Sequence, residues 1–225
     1  MSYIKIEGLT FAYDGSSENI FENLNLNLDT GWRLGFTGRN GRGKTTFLKL
    51  LMGELEYSGT IASEVEFDYF PLILENTYLT PEELGRSLTP DREPWELMRE
   101  LSLLGLEREV FYRPYSELSK GEQAKVQLAL LFLRPHRFSL IDEPTSHLDM
   151  AGREKVGEYL EKKAGFILVS HDRALLDRCV DHILAINKGN IEVQQGNFSH
   201  WYKEKSNRDN YERKENQRLL QEIDT

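Results

Sequence analysis

The sequence has a single cysteine in 225 residues. Cys179 can form no internal disulfide, which fits a reducing compartment, and it reads as a small packing residue. Long apolar runs are also lacking. The longest largely apolar stretch, Val126 to Leu133, falls far short of the about 20 residues a bilayer-spanning helix needs. The opening segment MSYIKIEGLTFAYDG has no basic region followed by an apolar stretch, as an export signal requires. Positive charge is in deficit: 28 Lys and Arg against 37 Asp and Glu leave a net charge of −9. Because nucleic-acid affinity comes largely from cations that neutralise phosphates, a generally basic binding surface is excluded and any RNA contact must be local. There is no internal repeat and no low-complexity segment. What remains, 39% hydrophobic and 29% charged residues, is the composition of an ordinary folded protein, read here as one domain with a tail.

Alternation of apolar residues predicts strands over 3–13 and 24–28, an antiparallel opening separated by the polar loop DGSSEN. Arg33 to Thr37 reads as a short strand entering a glycine-rich loop, and Thr45 to Met52 as an apolar-faced helix. Glu75 to Glu117 turns helical, interrupted by Pro81, Pro90, Pro94 and Pro114, which suggests a small helical insertion. A long helix from Gly121 to Leu133 leads to a strand at Phe138 to Ile141. A helix at 151–163 and a strand at Phe166 to Val169 follow. Strands alternating with helices indicate a parallel sheet flanked by helices. Ile183 to Ile186 and Ile191 to Val193, joined through Lys188-Gly189-Asn190, read as a closing hairpin. Trp201 to Ile223 is highly charged, with both signs and no Pro or Gly, and reads as an exposed helix leaving the domain. It ends without a cap, so the chain is expected to continue.

Gly38-Arg39-Asn40-Gly41-Arg42-Gly43-Lys44-Thr45 matches G-x-x-x-x-G-K-[ST] between a predicted strand and a predicted helix, the context the mechanism needs. Glycines let backbone N–H groups curl around phosphate oxygens. Lys44 supplies charge to the β and γ phosphates, and the Thr45 hydroxyl suits Mg²⁺. Thr46, next in the same turn, joins the expected nucleotide contacts. The implied cofactors are ATP and Mg²⁺. Phe138 to Glu143 is an apolar strand ending in two carboxylates. Asp142 suits Mg²⁺, usually through water, and Glu143 suits the polarisation of an attacking water. Either carboxylate could by itself simply cap the next helix; beside the phosphate loop the catalytic reading prevails.

Leu118-Ser119-Lys120-Gly121-Glu122-Gln123, just upstream of that strand, resembles the signature sequence of ABC ATPases. The resemblance spans about residues 3 to 198 and implies the family's fold: an α/β, P-loop nucleotide-binding domain with a RecA-like core, an antiparallel β subdomain and a small helical subdomain. It implies that Ser119 and Gly121 contact the γ-phosphate of ATP held by an opposite domain, although Ser119 also reads as an N-cap completed by Glu122. Ser146-His147-Leu148-Asp149 is similar to the family's D-loop, which gives Asp149 a role between sites beside its plain role as a helix cap. Val169-Ser170-His171-Asp172-Arg173 is similar to the switch segment, with His171 reaching the γ-phosphate and the water. Tyr13 stands where many members stack an aromatic ring on adenine, with Phe11 as the alternative. One position departs from the family. Leu72 stands where a Gln usually contacts Mg²⁺ and water, so water, Glu75 or Asn76 replaces it, or hydrolysis is slow. Lys120 also replaces a usual glycine, tolerable if it faces solvent.

Glu143 to Asp149, together with Gly196 to Trp201 leading into a charged helix, resembles the first domain of an ABC-F protein. That branch implies two ATPase domains on one chain joined by a helical linker, no membrane insertion, and action on ribosomes and their rRNA. The short insertion and missing Gln resemble its antibiotic-resistance members. The expected layout is an ATPase domain over 1–198, a helical subdomain over about 75–133, and the start of a linker over 199–225. A partner domain, from the same longer chain or a second copy, is implied because a signature does not reach its own phosphate loop. The competing readings are the ATPase subunit of a membrane transporter and a DNA-repair or chromosome ATPase. The latter usually carries long coiled coils or zinc sites, which are lacking here.

Overall fold

The computed structural model describes residues 2–16, 18–39, 41–187, 190–208 and 211. Two sheets carry the fold. In the first, β1 (Tyr3–Phe11) pairs antiparallel with β2 (Phe21–Asp29) on one side and β4 (Ser58–Ser63) on the other. Ile4, Ile6, Leu9 and Phe11 of β1 are buried. The inward set changes parity between Ile6 and Leu9, where the register shifts and Gly8 adopts a φ of 61°. A bulge of this kind keeps both ends of the strand facing the core.

The second sheet has the order β5-β6-β7-β3-β8-β9, with β5 at Glu66–Phe70, β6 at Arg137–Asp142, β7 at Phe166–Val169 and β3 at Arg33–Thr37. β8 (His182–Asn187) continues the parallel run, and β9 (Asn190–Gln195) closes the edge antiparallel to it. All four residues of β7 are buried, as expected for a central parallel strand covered on both faces. The residues expected to turn the β8–β9 hairpin, Lys188 and Gly189, lie outside the described residues.

Helix α1 (Lys44–Leu51) buries Phe47, Leu48, Leu50 and Leu51 between the two sheets. On the other face of the large sheet, α4 (Lys120–Leu133), α5 (Met150–Leu160) and α6 (Arg173–Cys179) share a core with Phe166, Leu168 and Ile183. Between β5 and β6 lie α2 (Pro81–Leu88), α3 (Pro94–Leu103) and two short 3-10 turns. Pro81 and Pro94 do not interrupt helices; each opens one, after Thr80 and Glu93 respectively. The missing N–H of proline costs nothing in the first turn, where that group has no helical partner.

This helical segment is tied to α5 by a buried charge. Glu100 of α3 is 3% exposed, and its Oε2 accepts hydrogen bonds from Tyr159 Oη at 2.6 Å and Lys163 Nζ at 2.5 Å. Arg99 donates to the other oxygen at 3.1 Å. Burial pushes the Glu100 carboxyl up, but the bonds from Lys163 and Tyr159 outweigh it and hold the group below the ordinary value.

After β9 the chain enters a further helix, α7, described over 198–208. Its first turns pack against α6. Ser199 donates its backbone N–H to Asp177 Oδ1 at 2.6 Å and its hydroxyl to Oδ2. The Arg173 guanidinium lies 5.7 Å from the Phe198 ring and 5.3 Å from the Tyr202 ring. Trp201 is buried. Most of the charged segment beyond lies outside the described residues.

Candidate nucleotide-binding site

Strand order alone assembles the site. β7 lies between β6 and β3, with Val169 paired to both Asp142 and Phe36. The chain therefore leaves three adjacent parallel strands at one level, placing Gly38, Glu143 and Ser170 side by side. This is the carboxyl edge of the sheet, where open α/β folds bind ligands.

The loop after β3 turns into α1 through Gly43, the N-cap, at φ 104°. A Cβ there would stand 2.6 Å from Ile20 Cγ2, so a side chain is excluded by both conformation and space. A Cβ on Gly38 would stand 2.1 Å from Ile186 Cγ2. Lys44 folds back so that Nζ donates to the carbonyl oxygens of Gly38 at 2.9 Å and Arg39 at 3.4 Å. Burial lowers the Lys44 pKa, against the opposing charges of Asp142 and Glu143. Arg39, Gly41 and Arg42 are exposed on the loop, and Asn40 lies outside the described residues. Tyr13 is 47% exposed, and its hydroxyl pairs with Thr46 Oγ1 at 2.9 Å. Phe11 is buried and meets the Tyr13 ring edge-on at 5.0 Å, so Tyr13 is the ring of the two that is open to a ligand.

At the end of β6, Asp142 Oδ2 lies 3.4 Å from Thr45 Oγ1 and accepts a 2.9 Å hydrogen bond from Tyr69 Oη. Burial first, and then the Asp142 charge, raise the Tyr69 pKa, so the phenol remains a donor. A hydroxyl and a carboxylate facing one another form the hard-oxygen pair that Mg²⁺ takes when phosphates and water complete its shell.

Glu143 adopts φ 50°, a left-handed conformation that is costly for a residue with a Cβ. Its N–H is bonded to Val169 O at 2.9 Å, which anchors the turn. The side chain points to His171, with Oε1 3.7 Å from Nε2. Oε1 is buried and has no hydrogen-bond partner among the described residues. Burial pushes the carboxyl above its ordinary value; His171 pulls it down and Asp142 adds to the rise. A buried carboxylate oxygen without a donor is a place for a polar guest.

Tyr13, Gly41, Gly43, Lys44, Thr45, Thr46, Asp142, Glu143 and His171 thus line one cleft of about 460 Å³. Ser119, Gly121 and Asp149 are not in it. Ser119 caps α4: the Glu122 N–H donates to Ser119 Oγ at 3.2 Å, and the Ser119 N–H donates to Glu122 Oε2 at 2.8 Å. Lys120 is exposed, which is why glycine is dispensable there. Gly121 is more closely packed: a Cβ would stand 3.0 Å from Leu148 Cδ2 and 3.4 Å from the His147 carbonyl oxygen. Asp149 caps α5 by accepting from Gly152 N–H at 2.8 Å.

Glu75 and Asn76 are not among the residues that line the cleft. Both are exposed, and the Asn76 side chain accepts from the Tyr78 N–H at 2.9 Å. Gln127, which the sequence reading did not single out, reaches the loop from α4 instead. Its Oε1 accepts from Leu72 N–H at 2.9 Å, while its Nε2 donates to Tyr115 Oη at 2.6 Å. It grips the backbone of the loop.

Residues 21–146 match the family model described as ABC transporter. The chain is 30% identical over 202 residues to the ribosome protection protein VmlR of Bacillus subtilis (strain 168), covering 85% of this chain and 36% of that protein. It is 31% identical over 206 residues to ATP-binding cassette sub-family F member 3 of Rattus norvegicus, covering 88% and 29%. The chain therefore spans about a third of the length of these curated relatives. The solved structure of an inward-facing metal-chelate type ABC transporter superposes with a TM-score of 0.69 at 24% identity, covering 86% of this chain and 83% of that one. That likeness concerns the fold. Among the described residues no helix is long and apolar enough to cross a membrane. By the match over 21–146 and the fold that carries it, the chain belongs to the ABC ATPase family, whose domains bind and hydrolyse ATP.

Proposed function

We propose that this chain is one ATPase domain of an ABC-F protein acting on the ribosome, working at a site shared with a second ABC domain. The observation that carries the shared site is a separation. The phosphate loop, both carboxylates and His171 line one cleft, whereas Ser119 and Gly121 lie outside it. The α4 N-terminus they form offers free backbone donors to a phosphate held elsewhere.

In this reading Tyr13 stacks on adenine, and the loop from Gly38 through Asn40 to Gly43 wraps the phosphates, flanked by Arg39 and Arg42. Lys44 exchanges its bonds to the Gly38 and Arg39 carbonyls for phosphate oxygens, while Thr46 secures the start of α1. Thr45 and Asp142 hold Mg²⁺, which when bound offsets phosphate charge. Glu143 Oε1 accepts a proton from the attacking water, and its raised pKa brings its basicity nearer to what the transfer needs. His171, opposite, orients that water and contacts the γ-phosphate. Ser119 and Gly121 bind the γ-phosphate of the partner domain's ATP, and Asp149 communicates between the two sites. The domain occupies 1–198 with its helical subdomain at about 75–133, and 199–225 begins the linker.

The ribosomal reading is supported by the attachment of α7. The helix that leaves the domain is fastened to α6 at Arg173 and Asp177, two and six residues beyond His171. A shift of the γ-phosphate sensor is thereby passed to the outgoing helix as a lever. The name of the relative VmlR, a ribosome protection protein, favours ribosome protection as the biological outcome, and the short helical insertion and Leu72 in place of the usual Gln favour antibiotic resistance as its form. The chain is placed in the cytoplasm on this reading. The alternative, the ATPase subunit of a membrane transporter, is favoured by the family model, described as ABC transporter, and by the shared fold. Comparing ATP turnover of this chain alone with turnover in a protein that also carries a second ABC domain tests the shared site. Turnover is expected only in the second case. Equal turnover at all dilutions of the single chain would overturn it.

A further inference from the structure

We infer that Tyr69 is a positioning residue for the magnesium end of the site, fixing the Asp142 carboxylate toward Thr45. The inference rests on the assignment of Mg²⁺ to Thr45 and Asp142 made above.

Tyr69 lies on β5, which runs parallel to β6 with Tyr69 opposite Leu140, two residues before Asp142. The long phenol covers that offset, and its hydroxyl ends 2.9 Å from Asp142 Oδ2. The same oxygen faces Thr45 Oγ1 at 3.4 Å. Donors from β5 and α1 therefore converge on one carboxylate oxygen, and the shorter bond comes from Tyr69. The ring is half-buried and packed against the core shared by the two sheets, so the hydroxyl is presented by a fixed scaffold. A carboxylate at the end of a strand otherwise turns freely about its last torsion. Holding it in advance removes an ordering cost from metal binding, as outer ligand-orienting partners do at other metal sites. The loop that follows Tyr69 is itself held by Gln127, whose Oε1 accepts from the Leu72 N–H at 2.9 Å.

Tyr69→Phe keeps the ring and removes the hydroxyl. The readout is ATP affinity by calorimetry, with Mg²⁺ and with EDTA, because packing affects both values and carboxylate positioning affects one. The ratio of the two affinities is expected to fall about tenfold, with the EDTA value unchanged. In an Asp142→Asn background Tyr69→Phe is expected to leave the ratio unaltered, since the oxygen it positions no longer serves the metal. An unchanged ratio in the single variant, equal losses with and without Mg²⁺, or a full effect in the Asp142→Asn background would each overturn the inference. A wild-type ratio near one would instead remove the magnesium assignment, and this inference with it.

Discussion

His171 Nε2 and Glu143 Oε1 face each other at 3.7 Å across the ends of two adjacent strands, and Oε1 is buried with no donor among the described residues. The gap is slightly too long for a direct hydrogen bond, and the oxygen is left for a water.

Glu143→Gln should therefore keep ATP binding and block turnover, because the amide preserves shape but cannot take the proton. The same variant should raise the stability of the nucleotide-free protein at neutral pH. The sign follows from the raised pKa of Glu143 in the folded state. Ionisation then favours the unfolded chain, so the penalty begins above the ordinary Glu pKa and is complete above the folded one. The gain in Tm, about 1–3 °C at neutral pH, should vanish as pH falls to the ordinary carboxylate range. Calorimetric scans across pH check it; a gain independent of pH would mean that Glu143 carries no such penalty.

Lys44→Ala should weaken ATP binding by roughly a hundredfold, since a charge-assisted contact to phosphate is lost in a site otherwise built from backbone dipoles. Nucleotide titration is the measurement. Unchanged affinity would take the loop at 38–45 out of the nucleotide site.

Glu100→Ala should destabilise the fold by about 3 kcal/mol, because it strands the Lys163 ammonium and Tyr159 hydroxyl beside a buried void. In the wild type the lowered Glu100 pKa adds stability that is complete above the ordinary Glu value. It is lost as pH falls through the folded one. Urea titrations at neutral and acidic pH should show the difference between wild type and variant narrowing in acid. A difference that stays constant would contradict the linkage.

The parts of the site legible in the sequence are those where chemistry depends on spacing within one segment. The loop from Gly38 to Thr45, the carboxylates ending β6 and the Ser119–Glu122 capping box are of that kind. What was not legible depends on which strands are neighbours. Tyr69 meets Asp142 only because β5 lies beside β6, an adjacency made by a crossover of more than 60 residues. Gln127 reaches Leu72 for a similar reason, by way of α4. β4 escaped notice because, of SGTIAS, only Ile61 is even partly covered, so no alternation marks it. α6 is seven residues long, too short for a helical period to stand out. The left-handed turn at Glu143 has no glycine to announce it.

The central claim, that ATP drives this domain to act on the ribosome through α7, is tested by sedimentation. The Glu143→Gln form, in a protein that carries this chain together with a second ABC domain, is mixed with ribosomes with and without ATP. Pelleting with ribosomes is expected only when ATP is present, and that dependence is expected to be lost in an added Arg173→Ala variant that still binds nucleotide. Absence from the ribosome pellet in both states, with capture of a membrane partner instead, would contradict it.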